Sequence, residues 1–174
     1  MGVRRRRPVG HAAAAAVRPG RCAVITVSDT RGPTDDGSGD ALARGLARAG
    51  HDVVTRAWVK DDVAVIRRAA RAALARRDVD AVLLTGGTGV APRDRTPEAL
   101  RPLLERELPG LGELFRMLSY RQVGSAAWLS RAGAGVAKGK LVVWLPGSTK
   151  AVELAVGELV GPELGHALGL LGRL

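Results

Sequence analysis

The residues best suited to chemistry lie between positions 85 and 94. Thr85-Gly86-Gly87-Thr88-Gly89 places three glycines and two threonines in five residues, and Arg93 and Asp94 follow closely. Such a stretch leaves amides and hydroxyls to face a ligand. Glycine permits positive φ and lets a bulky group approach the main chain. Successive amides in a tight turn form an anion-binding concavity. The alternative is a glycine-rich turn that only joins a strand to a helix, and a glycine cluster alone does not separate the two.

A second group, Pro146-Gly147-Ser148-Thr149-Lys150, sets hydroxyls and a lysine at a helix start. Helix N-termini attract anions through their unpaired amides. Its alternative is a capped helix start with a solvated lysine. Gly135-Val-Ala-Lys-Gly139 superficially resembles a P-loop. It fails as one, because Ala134 stands where the first glycine belongs and Leu141 replaces the Ser or Thr.

Strands and helices alternate around these groups. Cys22 to Ser28 reads as a first strand, apolar enough to be buried on both faces. Ser38 is placed to cap a helix over Gly39 to Ala49, with Leu42, Leu46 and Ala49 on one face and Gly50 ending it. Asp52 to Val59 is a second strand. A helix then runs to Arg77, with Val63, Ile66, Ala70, Ala73 and Leu74 at helical spacing. Val79 to Thr85 leads into the glycine loop as a third strand. Thr96-Pro97-Glu98 predicts an N-cap, a first-turn proline and a first-turn acid for a short helix reaching Glu105.

Leu111 to Val123 reads as a helix with a stripe of Leu111, Leu114, Phe115 and Leu118, which Met117 extends toward a partner subunit. Trp128 to Ala134 and Lys140 to Leu145 read as strands. Helices from about Ala151 and over Pro162 to Leu171 complete the chain. This alternation predicts an α/β fold in three layers, with a mostly parallel sheet and helices on both faces. Ligands of such sheets bind outside the carboxyl ends of the strands. Ser28-Asp29, Asp61-Asp62 and Gly86 to Asp94 all lie at that edge, so chain order brings Asp29, Asp61 and Asp94 to one rim. Asp61 or Asp62 has the alternative duty of capping the next helix, and Asp94 that of bracing its own loop.

Composition narrows the function classes. The 174 residues are 46% hydrophobic, enough for one domain over residues 21–174 with a real core. Cys22 is the only cysteine, which excludes an intrachain disulfide and suits a small core residue. His11, His51 and His166 are scattered and show no Cys/His metal pattern. No apolar run reaches the about 18 residues of a membrane span, and the expected location is cytoplasmic. The net charge of +10 draws on Arg4 to Arg7, Arg18 and Arg21. Residues 1–20 therefore read as a basic, flexible extension, with a twin-arginine export signal as the alternative. Aromatics at 3% and the lack of a binding motif argue against nucleic acid as the specific partner.

Leu83 to Asp94 resembles the signature of the MoaB/MogA family of molybdenum cofactor biosynthesis proteins. Five further blocks match in the same order: Val27 to Asp29, Asp36 to Gly39, Pro109 to Arg116, Leu129 to Arg131 and Leu145 to Lys150. The likeness runs from about residue 22 to the C-terminus, and Phe115 to Tyr120 and Gly147 to Lys150 look nearer the MoaB branch. The resemblance implies a molybdopterin-binding fold and a homo-oligomer, trimer or hexamer. It also implies a nucleotidyltransferase that uses Mg-ATP to adenylylate molybdopterin, with release of pyrophosphate and a downstream metal-insertion protein as partner. Family carboxylates important for adenylylation fall on Asp61 and Asp94, as catalytic groups and Mg²⁺ ligands. The amides of Gly86, Gly87 and Gly89, with Thr88, are expected to hold ATP phosphates, and Arg93 the leaving pyrophosphate. Ser28, Ser130, Ser148 and Lys150 are the pterin-binding candidates. Some MoaB proteins carry another residue at the position of Asp61, so the competing expectation is a non-catalytic molybdopterin-binding or scaffold protein of the same pathway. A nucleic-acid binder rests on the arginine tail alone.

Overall fold

Alternate residues of each central strand enter two different cores in the computed structural model, which describes residues 19–30 and 32–173. The strands are β1 (Arg21–Val27), β2 (Asp52–Val59), β3 (Ala81–Thr85), β4 (Arg106–Glu107), β5 (Gly133–Ala137) and β6 (Lys140–Leu145). The helices are α1 (Gly37–Arg48), α2 (Val63–Ala75), α3 (Thr96–Leu100), α4 (Pro109–Val123), α5 (Thr149–Ala155) and α6 (Gly161–Leu170). One sheet runs in the order β2-β1-β3-β6-β5-β4. Its first four strands are parallel, and β5 and β4 are antiparallel.

Side chains two apart share a face of a strand. Cys22, Val24, Leu83, Val143 and Leu145 therefore meet Leu42 and Leu46 of α1, Phe115 of α4, Val152 of α5 and Leu164 and Leu168 of α6. Ile25, Val27, Val82, Leu84 and Trp144 face the other way, onto Ile66 and Ala70 of α2 and Leu100 of α3. Three layers result, as the pattern predicted. Cys22 is wholly buried, and burial pushes its thiol up to about 12, where it is an inert packing group.

Several local expectations change. Asp36, not Ser38, caps α1: its Oδ1 accepts from Gly39 N at 2.8 Å while its Oδ2 takes the Thr26 hydroxyl at 2.6 Å. Thr96 is not an N-cap; its hydroxyl donates to Gly86 O at 2.8 Å. The helix after it is α for five residues and 3₁₀ over Arg101–Leu103. Proline has no N–H for the α ladder, and Pro102 stands at that change. Residues Gly124–Leu129 form a 3₁₀ turn, and the strand expected from Trp128 begins at Gly133. Lys138 and Gly139, both at positive φ, are the two-residue turn of the β5–β6 hairpin. Of the expected stripe on α4, Phe115 is buried while Leu114 is half exposed. Residues 1–18, most of the expected basic extension, lie outside the described residues.

The amino edge of the sheet carries a buried charge cluster. Asp80, 2% exposed, accepts from Arg21 N at 3.1 Å and from Arg21 Nε and Nη2 at 2.9 Å each. Arg173 approaches its other flank at 4.0 Å. Burial pushes the Asp80 carboxyl up, but the hydrogen bonds and charge of Arg21 outweigh it, and the carboxyl sits below its ordinary value. Lys140, also buried, donates to Arg76 O, and burial followed by the charge of Arg173 lowers its amine.

Candidate functional site

At the opposite edge, the carboxyl ends of β1, β3 and β6 open into a cavity of about 380 Å³. Ser28, Asp29, Asp61, the run Gly86 to Gly89, Arg93, Asp94 and Ser130 all line it. Nine of the eleven candidate residues read from the sequence therefore meet in one place, because a parallel sheet sends every strand's carboxyl end to the same side.

The glycine loop is shaped by close contacts. Gly86 has φ +104, and a Cβ there would lie 2.0 Å from Val27 O. Its amide donates to Leu145 O at 3.0 Å, and Thr85 Oγ1 donates to Pro146 O at 2.8 Å. These bonds fasten the loop to β6. They also correct one expectation: the Gly86 amide belongs to the sheet and does not face a phosphate. A Cβ at Gly87 would lie 2.5 Å from Asp61 Oδ2, and one at Gly89 2.6 Å from Asp94 Oδ2. Both carboxylates thus rest against bare backbone of the same loop.

Asp61 and Asp62 divide the two duties that the sequence left open. Asp62 caps α2, accepting from Val65 N at 2.9 Å. Asp61 turns to the cavity, where its Oδ1 accepts from Arg95 N at 3.0 Å and its own amide donates to Asp29 Oδ1 at 3.0 Å. Burial lifts the Asp61 carboxyl above its ordinary value. The Arg95 amide opposes this, the charges of Asp94 and Asp29 add to it, and Arg93 relieves it in part. Asp94 does both jobs: its Oδ2 braces the loop at Ala91 N, 2.9 Å away, and it still lines the cavity.

Ser148 and Lys150 are not in this cavity. They line an adjoining one of about 780 Å³, with Ser119 and Thr149, and the two share Ser130 and Pro146. Ser148 also caps α5 through Ala151 N at 3.3 Å. Two residues escaped the sequence reading. Asp29 was placed at the rim without a role, and it holds the backbone of Asp61. Arg131 was seen only as part of a matched block. It donates from Nε to Gly89 O at 2.8 Å and from Nη2 to Asp94 O at 2.7 Å, and it pairs with Glu98.

Among the described residues no three His, Cys, Asp or Glu side chains converge tightly enough to hold a metal ion alone. The donor set at the rim is one or two carboxylates beside an open loop. That set fits Mg²⁺, which binds one or two carboxylates and completes its shell with water and substrate phosphate.

Residues 23–166 match the model of a probable molybdopterin binding domain. The chain belongs to the MoaB/MogA family of molybdenum cofactor biosynthesis proteins. Molybdenum cofactor biosynthesis protein B of Bacillus subtilis is 50% identical over 149 residues, covering 85% of this chain and 88% of that one. Its counterpart from Halalkalibacterium halodurans is 48% identical over 149 residues, with coverage of 85% and 88%. A crystal structure of molybdenum cofactor biosynthesis protein B superposes with a TM-score of 0.87 at 47% identity, covering 91% of this chain and 99% of that one. The family match spans every candidate residue from Ser28 to Lys150, and these high identities are to the MoaB branch. Among the described residues no helix is long and apolar enough to cross a membrane.

Proposed function

We propose that this chain adenylylates molybdopterin with Mg-ATP and releases pyrophosphate, which supplies an activated pterin to a downstream metal-insertion protein. The observation that carries the reading is the pair Asp61 and Asp94. Each packs on a glycine of one loop, both face one cavity, and among the described residues neither has a cationic side chain bonded to it. Like charges held close without a salt bridge favour a ligand that brings positive charge with it.

In this reading a phosphate oxygen of molybdopterin attacks the α-phosphorus of ATP, and the bond to the β-phosphate oxygen breaks. Both reactants are anionic, so catalysis consists mainly of alignment and charge neutralisation. Mg²⁺ held by Asp61 and Asp94 supplies that neutralisation when bound. The amides of Gly87 and Gly89, with Thr88, orient the nucleotide phosphates, and Arg93 receives the departing pyrophosphate. Ser28, in the first cavity, and Ser130, on the wall that both cavities share, contact the pterin. Ser148 and Lys150 take the pterin or its phosphate from the adjoining cavity, and the wall shared at Ser130 and Pro146 brings the two reactants together.

Leu114, Met117, Tyr120, Val123 and Trp128 leave an exposed apolar face on α4 and the turn after it. Solvated monomers rarely leave such a patch bare, and we propose that further copies of the chain cover it in a trimer or a hexamer. Light scattering measures the mass directly.

The deciding experiment incubates purified protein with molybdopterin, ATP and Mg²⁺. It scores pyrophosphate and, by mass, adenylylated pterin. Product that disappears in Asp61→Ala and Asp94→Ala supports the reading. Tight pterin binding without product, beside an active adenylylating relative as control, moves the chain to a non-catalytic pterin-binding role.

A further inference from the structure

Four consecutive carbonyls of the glycine loop are held by two residues. Gly86 O accepts the Thr96 hydroxyl at 2.8 Å, and Gly87 O accepts the Thr96 amide at 3.0 Å. Thr88 O accepts the Arg131 amide at 2.9 Å, and Gly89 O accepts Arg131 Nε at 2.8 Å. Across a trans peptide, the carbonyl of one residue and the N–H of the next point in opposite directions. Holding these carbonyls turns the N–H groups of Gly87, Thr88, Gly89 and Val90 away from Thr96 and Arg131.

A second arm of the guanidinium reaches Asp61. Arg131 Nη2 donates to Asp94 O at 2.7 Å, and the N–H of that same peptide, on Arg95, donates to Asp61 Oδ1 at 3.0 Å. The third arm, Nη1, pairs with Glu98, and Trp144 Nε1 fixes the Arg131 carbonyl at 2.8 Å. Arg131 itself does not line the 380 Å³ cavity. It touches the outer side of the loop and, through one peptide, the carboxylate.

We infer that Arg131 is a positioning residue that aims the glycine-loop amides and the Asp61 carboxylate at a nucleotide polyphosphate without contacting it. The inference rests on the nucleotide reading of the cavity. Arginine is required because its planar fork donates in three fixed directions, whereas a lysine ammonium replaces one bond at a time. Thr96 performs the same service for the first half of the loop.

The test uses the full chain with Arg131→Lys, Arg131→Met and Thr96→Val. Amide exchange followed by mass spectrometry is compared between residues 86–95 and strand β3. In Arg131→Met, exchange over 86–95, carried by the hydrogen-bonded amides of Ala91, Asp94 and Arg95, rises about tenfold or more while β3 stays protected, since local opening is uncoupled from the global fold. The KM for Mg-ATP rises about tenfold while the KM for molybdopterin stays within about twofold. Arg131→Lys falls between wild type and Arg131→Met, and Thr96→Val loosens the loop to a smaller degree. Unchanged exchange over 86–95 overturns the inference. So does a uniform rise in exchange across the fold with the KM for Mg-ATP unchanged, which marks a role in bulk stability alone. If wild type neither binds nor turns over ATP, the nucleotide reading fails by itself. Selective loosening of 86–95 in that case still supports the anchoring of the loop by Arg131.

Discussion

The two ends of the sheet treat aspartate in opposite ways. At the amino edge Asp80 is buried against Arg21, with Arg173 behind it, and its carboxyl sits below its ordinary value. At the carboxyl edge Asp61 faces Asp29 and Asp94, and burial with like charge lifts it. The first arrangement is complete and holds the start of β1 to the segment leading into β3. The second sets like charges toward one cavity, and in the proposed reading a cation completes it. An acid closed into an ion pair inside the fold reports on stability, and a half-buried one facing other carboxylates across a cavity is a candidate to report on a ligand.

The largest expected effect breaks the comparison at the carboxyl edge. Asp94→Asn and Asp61→Asn lower adenylylation by roughly 10²–10⁴-fold, the scale of removing transition-state electrostatics. Their Tm changes by only about 2 °C, because among the described residues neither aspartate closes an ion pair. A steady-state assay beside calorimetry checks both halves.

Asp80→Asn should do the reverse. Removing the charge leaves Arg21 without its partner and lowers Tm by roughly 5 °C. Turnover at room temperature stays within about twofold of wild type, since the site lies at the other edge. A variant that melts normally but loses turnover would overturn this division of labour.

pH sharpens the contrast, because the two shifts have opposite signs. The Asp80 pKa is depressed in the fold, so its stabilisation is present above the unfolded value of about 4 and is lost as pH falls through the folded value. The Tm gap between wild type and Asp80→Asn therefore closes on acidification. The Asp61 pKa is raised, so its charged form opposes folding. Asp61→Asn gains on wild type as pH rises through that folded value and loses the advantage below the ordinary carboxylate range. Melting curves from about pH 3 to pH 8 measure both. The smallest effect belongs to the adjoining cavity: Lys150→Ala should raise the KM for molybdopterin about three- to tenfold, leaving that for Mg-ATP unchanged.

Much of this site was legible before any coordinate. The rim of Asp29, Asp61 and Asp94 follows from strand order alone, and the loop from its glycines. What escaped depended on contacts distant in sequence. Arg131 bonds carbonyls 42 and 37 positions away, and no local pattern marks it. Asp36 outcompetes Ser38 for the helix cap because it also takes the Thr26 hydroxyl and an ion pair with Arg56. The strand at Gly133 was misplaced for a different reason. The expected strand stops at Ala134, before Gly135, yet a Cβ at Gly133 would lie 2.5 Å from the Trp144 ring and one at Gly135 2.7 Å from Leu104 Cδ1. Bulk from neighbouring segments, absent from any local window, decides that β5 must be made of small residues.

The place of β6 in the chain governs when the protein becomes competent. Ala81 pairs with Leu141 and Thr85 with Leu145, so the central partnership of the sheet closes over roughly 60 residues. The Gly86 amide has no acceptor until Leu145 has been synthesised. A nascent chain on the ribosome therefore carries Asp61, Asp94 and all three loop glycines well before they form a cavity. A message truncated upstream of codon 145 encodes the chemical groups without the frame that aligns them. Alignment of the loop therefore waits on the synthesis of β6.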